Sequence, residues 1–176
     1  YGENTALLAQ MVIRYEDGTE ELFVTDESWS GADAPVVFAE IYDGEIYDGA
    51  KEIKGWSEAG CTAGQWKPVR KLDYDFSVLT GQGSGKVSLM DEVKPKEIFE
   101  TPEGDLVIDF GQNMSALIQV TATGKKGDVI RLDCFEVLDS KGNVYLDNLR
   151  GAKESLQYTF GEDGTITSVS YTHLRA

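Results

Sequence analysis

Residues 101–136 read TPEGDLVIDFGQNMSALIQVTATGKKGDVIRLDCFE, and this stretch decides the fold class. Apolar side chains recur there at every second position, which is the period of a half-buried β-strand. Turn-forming residues separate the runs at 102–104 and again at 124–128. The spacing predicts short strands joined by tight turns, as in an all-β sandwich or barrel. Leu106, Ile108 and Phe110 alternate with Val107 and Asp109, and Ala116, Ile118, Val120 and Ala122 form the next inward face.

The same alternation occurs near the amino terminus. Residues 6–15 (ALLAQMVIRY) alternate in polarity, Asp17-Gly18 follows, and residues 20–25 (EELFVT) form a second run. Two alternating runs on either side of an Asp-Gly pair predict a β-hairpin. The glycine-rich segment at 80–86 (TGQGSGK) predicts a boundary between two β units. We place the first unit at 1–79, a linker at 80–85, the second unit at 86–167 and an irregular tail at 168–176.

Composition excludes several classes of protein. The 176 residues carry a formal net charge of −15, from 31 acidic and 16 basic side chains, and such a surface repels nucleic acid. Cys61 and Cys134 form no metal-ligand motif with the single histidine, so we expect no zinc site. Their even number allows a disulfide, but we expect two unpaired thiols. No apolar run has the length of a membrane span.

Five segments carry a resemblance to a known family: TDESW (25–29), IYDGEIYDGAKE (41–52), WKPV (66–69), TPEGDLVIDFGQNMSA (101–116) and EVLDSKGNVYLDNLRGAKESLQYTF (136–160). In this order and spacing, the chain resembles bacterial α-L-rhamnosidases, which are glycoside hydrolases of family 78 type. The first three segments are similar to the end of the N-terminal, jelly-roll-like domain of that family. The last two are similar to the β-sandwich domain that follows it.

The resemblance implies a partial jelly-roll-like unit followed by an antiparallel β-sandwich. The family hydrolyses terminal α-L-rhamnose, and its catalytic domain is an (α/α)₆ barrel placed after these sandwiches. We expect that barrel and the first half of the jelly roll to lie outside this chain. The tail SVSYTHLRA (168–176) departs from the aromatic stretch with histidine and arginine that the family has there. We therefore assign no role to His173 or Arg175.

The richest cluster of polar and aromatic residues, at 42–48, is the candidate carbohydrate site. Carboxylates accept hydrogen bonds from sugar hydroxyls, and aromatic rings pack against the apolar face of a pyranose. In the resembling family, accessory domains of this kind bind rhamnose in some members, sometimes with calcium. The alternative is that the tyrosines pack in the sandwich and the acids line a turn. The candidates are Tyr42, Asp43, Glu45, Tyr47 and Asp48.

Asp43 and Glu45 are a possible catalytic pair, because glycoside hydrolysis needs two carboxylates across the scissile bond. Their spacing would place them on one face of a strand, but this spacing is common in ordinary strands. Because the resemblance puts the catalytic barrel elsewhere, we predict no catalytic residue in this chain, no metal ligand and no cofactor. We consider calcium only as an ion that would assist the binding of a sugar.

The remaining polar motifs favour structural roles. Asp109, Gln112 and Asn113 belong to DFGQNM, which lacks the other signatures of a protein kinase. We predict that they satisfy backbone groups or line a domain interface. Asn148 and Arg150 would pair with acids across such an interface or lie in a solvated loop.

The sequence thus predicts a non-catalytic accessory region that supports the catalytic (α/α)₆ domain and shapes substrate access. The first alternative is a carbohydrate-binding module for rhamnose-containing glycans, with or without calcium. The second is an adhesion or scaffold module without sugar affinity. Open strand edges also predict a homodimer. Neither a nucleic acid nor a membrane is an expected partner, and secreted, periplasmic and cytoplasmic locations all fit.

Overall fold

The computed structural model describes residues 4–83, 85, 88–170 and the backbone of 174–175. Its fold is all-β, as predicted, and in the described part of the chain the helices are single 3₁₀ turns, none long enough to cross a bilayer. The turns are Gly49–Lys51, Phe76–Val78 and Asp147–Leu149. The strands are β1 (Gln10–Arg14), β2 (Glu20–Val24), β3 (Ser30–Gly31), β4 (Val36–Glu40), β5 (Gly44–Asp48), β6 (Lys67–Pro68), β7 (Glu97–Glu100), β8 (Leu106–Asp109), β9 (Ser115–Ala116), β10 (Gln119–Gly124), β11 (Val129–Asp133), β12 (Val137–Leu138), β13 (Val144–Tyr145), β14 (Ser155–Thr159), β15 (Gly164–Val169) and β16 (Leu174–Arg175).

The chain divides into two compact units, and the first comprises residues 1–33 and 54–87. The predicted hairpin is present as β1 and β2, which pair antiparallel from Gln10↔Val24 to Arg14↔Glu20. Gly18 sits in the turn at φ +85°, a backbone angle that side chains with a Cβ rarely adopt. No residue of this unit is buried among those that the structure describes. Its exposed large apolar side chains include Leu7, Met11, Leu22, Phe23, Trp29 and Trp56.

The second unit comprises residues 34–53 and 88–176, and its limits differ from the predicted boundary near residue 80. Residues 34–53 form the β4–β5 hairpin, and β5 pairs in parallel with β14, from Gly44↔Ser155 to Asp48↔Thr159. This pairing draws an early segment into the later sandwich. Its cause is a ladder of backbone hydrogen bonds, which the alternation of side chains along the sequence cannot reveal.

The second unit contains a four-stranded sheet in the order β11–β14–β5–β4 and a separate antiparallel pair, β10–β15. Apolar side chains of both sheets line the cavity described below. The most buried large side chain is Phe160, only 2% exposed, just after β14. Its ring meets Tyr158 edge-to-face at 5.4 Å, and Tyr158 stacks on Tyr47 of β5 at 5.1 Å. This aromatic series links β14 to β5 through side chains as well as backbone.

The predicted tail lies partly outside the described residues, and His173 is among those omitted. The backbone of Leu174–Arg175 forms β16, which pairs antiparallel with β9.

Candidate functional site

The turn between β4 and β5 holds the first two candidate carbohydrate residues. One carboxylate oxygen of Glu40 accepts hydrogen bonds from the backbone amides of Tyr42 and Asp43, at 2.7 and 2.9 Å. Gly44 follows at φ +99°, so the chain turns sharply here and enters β5. The side chain of Tyr42 projects from this turn, and the residue is 64% exposed.

The same turn is fastened to the loop that precedes β14. The carbonyl of Tyr42 accepts hydrogen bonds from the backbone amides of Lys153 and Glu154, at 3.1 and 3.0 Å. Lys153 Nζ also forms an ion pair with Asp43 Oδ2 at 3.3 Å. The carboxylate of Asp43 therefore already has a cationic partner within the fold. Because Lys153 is exposed, this pair contributes little to stability and mainly sets the position of the turn.

The other three candidates belong to β5 and are engaged in the sandwich. Glu45 is 5% exposed, and Tyr47 stacks on Tyr158 while its hydroxyl donates a hydrogen bond to Glu52. Asp48 caps the following 3₁₀ turn by accepting a hydrogen bond from the Ala50 amide at 3.1 Å. The structure thus places the five candidates on one continuous segment, in a turn, a core strand and a cap.

Glu45 and Tyr47 line a cavity of about 40 Å³ between the four-stranded sheet and the β10–β15 pair. Small-molecule sites usually occupy roughly 300 Å³ or more, whereas this volume accommodates only about one or two water molecules. The remaining wall is mostly aliphatic, with Gln157, Ser168 and Ser170 as its other polar members. As it stands, the cavity is too small for a monosaccharide.

Asp109 takes a local structural role. Its carboxylate accepts a hydrogen bond from the Gly111 amide at 2.6 Å, and Gly111 has φ +76°, a left-handed backbone angle that favours glycine. The backbone carbonyl of Asp109 accepts a second hydrogen bond, from the Lys96 amide at 2.7 Å. Gln112 and Asn113 are exposed, so whether they line a domain interface stays a prediction.

Asn148 and Arg150 lie in the loop between β13 and β14. Asn148 Nδ2 donates a hydrogen bond to Glu136 Oε2 at 2.9 Å. Arg150 is exposed and adopts φ +58°, in the left-handed region that non-glycine residues seldom occupy. Sequence reasoning missed Glu154, a buried carboxylate at φ +45° that follows this loop. No pattern signals it, because an acidic residue before a strand usually lies in solvent.

The two cysteines are free thiols in different environments, since Cys134 is buried and Cys61 is half-buried. Burial, with the nearby charges of Glu154 and Asp133, raises the pKa of Cys134 to about 11. At pH 8, on the order of one Cys134 thiol in a thousand would be ionised.

We expect iodoacetamide at pH 8 to alkylate Cys61 in the folded protein and to reach Cys134 only after denaturation. Peptide mass spectrometry after timed quenching measures both rates, and equal rates in the folded protein would contradict the buried position of Cys134.

Within the described residues, no group of three or more His, Cys, Asp or Glu side chains is arranged to hold a metal ion. The β4–β5 turn nevertheless retains one feature of a sugar site, the exposed side chain of Tyr42, next in sequence to Asp43.

Comparisons with known proteins agree over nearly the whole chain. Residues 1–91 match the model of the alpha-L-rhamnosidase N-terminal domain, and residues 99–174 match that of the bacterial alpha-L-rhamnosidase concanavalin-like domain. An alpha-L-rhamnosidase of Streptomyces avermitilis is 36% identical over 168 residues, which are 95% of this chain and 16% of that protein. One from Alteromonas sp. is 31% identical over 159 residues, or 89% of this chain and 17% of that protein.

Solved structures show the same relation. The S. avermitilis alpha-L-rhamnosidase complexed with L-rhamnose aligns with a TM-score of 0.85 and 34% identity, over 96% of this chain and 17% of that one. The native enzyme of Aspergillus terreus aligns with a TM-score of 0.86 and 32% identity, over 96% and 20% respectively. This chain therefore spans no more than about a fifth of these relatives.

Proposed function

The chain belongs to the bacterial α-L-rhamnosidase family, and on that premise we propose that it is a non-catalytic accessory region that supports the catalytic domain of such an enzyme. The observation that carries this proposal is the parallel pairing of β5 with β14. These strands come from the segments that match the two different family domains, at 1–91 and 99–174. One sheet thus joins both segments and holds them rigidly together. Such a joint suits a region with a supporting role.

The side chains of the β4–β5 hairpin support the same proposal. Asp43 is ion-paired with Lys153, and Glu45 is buried beside a cavity of about 40 Å³. A glycosidase needs one carboxylic acid and one carboxylate with access to the same glycosidic oxygen and anomeric carbon. Glu45 is held inside the sandwich, and Asp43 would first have to leave Lys153 to take such a position.

The exposed apolar side chains of the first unit are a further support. Met11, Leu22 and Phe23 of its hairpin are each more than 40% exposed. A two-stranded hairpin with both faces in water is only marginally stable, so such faces normally pack against additional structure. In an accessory region, the rest of the enzyme would supply that cover.

Sugar binding is the second candidate, because the exposed Tyr42 side chain could pack against a pyranose. Under this alternative, rhamnose would contact the β4–β5 turn and calcium would assist it. The Asp43–Lys153 ion pair would then have to open or to face the sugar.

Hydrolysis and binding assays on the purified chain test the proposal. We expect no release of nitrophenol from nitrophenyl α-L-rhamnoside, with a full-length α-L-rhamnosidase as the positive control. We also expect no saturable shift of the amide signals of residues 40–48 when rhamnose is titrated to about 10 mM, with or without calcium. Turnover that survives repeated purification would refute the non-catalytic role. A saturable shift that Tyr42→Ala abolishes would establish the sugar-binding alternative.

A further inference from the structure

The connection between β13 and β14 carries two buried oxygen atoms that accept no hydrogen bond. One is Oε2 of Glu154, whose residue is 8% exposed, and the other is Oδ1 of Asn148. Buried polar atoms in folded proteins are nearly always paired, and an unmade hydrogen bond to a buried carboxylate is especially costly. Both atoms are acceptors, so the missing partner must be a hydrogen-bond donor.

The charges around these atoms favour a donor that is positively charged. The Glu136 carboxylate accepts a hydrogen bond from Asn148 Nδ2 at 2.9 Å, which places a second acid in the cluster. Burial, and then the charge of Glu136, raises the pKa of Glu154 above its ordinary value. Lys153, next in sequence to Glu154, already pairs with Asp43. A neutral donor would leave this excess of negative charge uncompensated.

The arrangement suits a guanidinium better than a metal ion. Calcium takes six to eight oxygen ligands, and no group of three or more acidic, histidine or cysteine side chains suitable for a metal occurs in the described part of the chain. A guanidinium presents five N–H donors in one plane and pairs with a carboxylate through two parallel hydrogen bonds. The flanking residues Arg150, Gly151 and Lys153 are exposed, whereas the two oxygens are buried, so a guanidinium reaches them from solvent only when this loop opens.

We propose that Glu154 and Asn148 form a socket for an arginine side chain that is carried by a part of the enzyme outside these 176 residues. This inference rests on the proposed accessory role, because the arginine belongs to the structure that the chain supports. The chain spans only 16% and 17% of two of its relatives, so enzymes of this family have ample further sequence to provide one. The pairing would fasten the β13–β14 loop to a neighbouring domain.

Titration of the purified chain with ethylguanidinium chloride tests the socket, with the Glu154 side-chain carboxyl carbon and the Asn148 side-chain amide followed by NMR. We expect both signals to shift saturably with a dissociation constant in the millimolar range. Ethylammonium at the same ionic strength should bind more weakly because it cannot form two parallel hydrogen bonds. Glu154→Gln should weaken ethylguanidinium binding about tenfold or more, since it removes a charge-assisted pair.

Glu103→Gln is the matched control, because Glu103 is an exposed acid in the same unit and should leave binding unchanged. Asn148→Leu gives a second test if Glu154→Gln does not fold, and it should weaken binding while it keeps the carboxylate. The socket is refuted if the two signals show no saturable shift up to about 50 mM ethylguanidinium. Saturation by calcium chloride instead would also overturn it, as the mark of a metal site. Neither result would contradict the non-catalytic accessory role, which the hydrolysis assay tests separately.

Discussion

Gly44→Ala is expected to destabilise the second unit severely. A Cβ at this position would lie 2.0 Å from the carbonyl oxygen of Ser155 and 2.7 Å from its backbone nitrogen. Those atoms belong to the β5–β14 ladder and cannot rotate away as a side chain would. Gly44 also has φ +99°, which an alanine adopts only with strain. Together these effects should cost more than about 3 kcal/mol, a large part of the stability of a domain.

Gly127→Ala is the matched control for that substitution. Gly127 has φ +88° and lies in the same unit, but a Cβ there would meet no atom within 4 Å. It should therefore show only the backbone cost of about 1–2 kcal/mol. Urea unfolding followed by the amide signals of β14 measures both variants. If the two variants lose equal stability, the close approach of β5 to β14 is not what requires glycine at position 44.

Phe160→Ala has the second large expected effect, a loss of about 3–5 kcal/mol in the free energy of unfolding of the second unit. Phe160 is the most buried large side chain in the described part of the chain, at 2% exposed. Its ring packs edge-to-face on Tyr158 and lies so close to Gly124 that a Cβ there would meet it at 2.8 Å. Removal of the ring leaves a cavity that the surrounding strands, fixed by their backbone hydrogen bonds, can fill only in part.

Phe38→Ala, in β4 of the same unit, is the control for loss of a phenyl ring without a deep cavity. Phe38 is 41% exposed, so its removal should cost less than about 2 kcal/mol. Chemical denaturation of the two variants under identical conditions compares them directly. Equal losses would show that Phe160 does not anchor this core.

The first hairpin illustrates how far the sequence alone reaches. Its alternation and the Asp17-Gly18 pair predicted β1, the turn and β2, and the structure confirms all three. The alternation also predicted one buried face, yet Met11 and Phe23 are both exposed. The period of a strand depends on local side-chain geometry, whereas burial depends on what packs against the strand, and nothing in residues 6–25 specifies that partner.

The candidate site shows the same division. The sequence singled out residues 42–48 because aromatic and acidic side chains cluster there, and the structure places them in a turn, a core strand and a cap. Asp43 forms an ion pair with Lys153, 110 positions further along the chain, and no local sequence pattern predicts that contact. Glu154 gave no signal at all, because its burial follows from hydrogen bonds of its backbone to Tyr42 and Cys134.

The sequence alone established the strand class, the positions of many turns and the membership of the α-L-rhamnosidase family. Each of these depends on residues that are close together along the chain. The three-dimensional structure was needed to show that β5 joins β14 in parallel, that residues 34–53 belong with the later unit, and that two buried oxygens near β14 lack a donor. The first two features arise from backbone hydrogen bonds between segments about 110 residues apart, and such bonds are nearly indifferent to side-chain identity. The third arises from side chains that the fold buries.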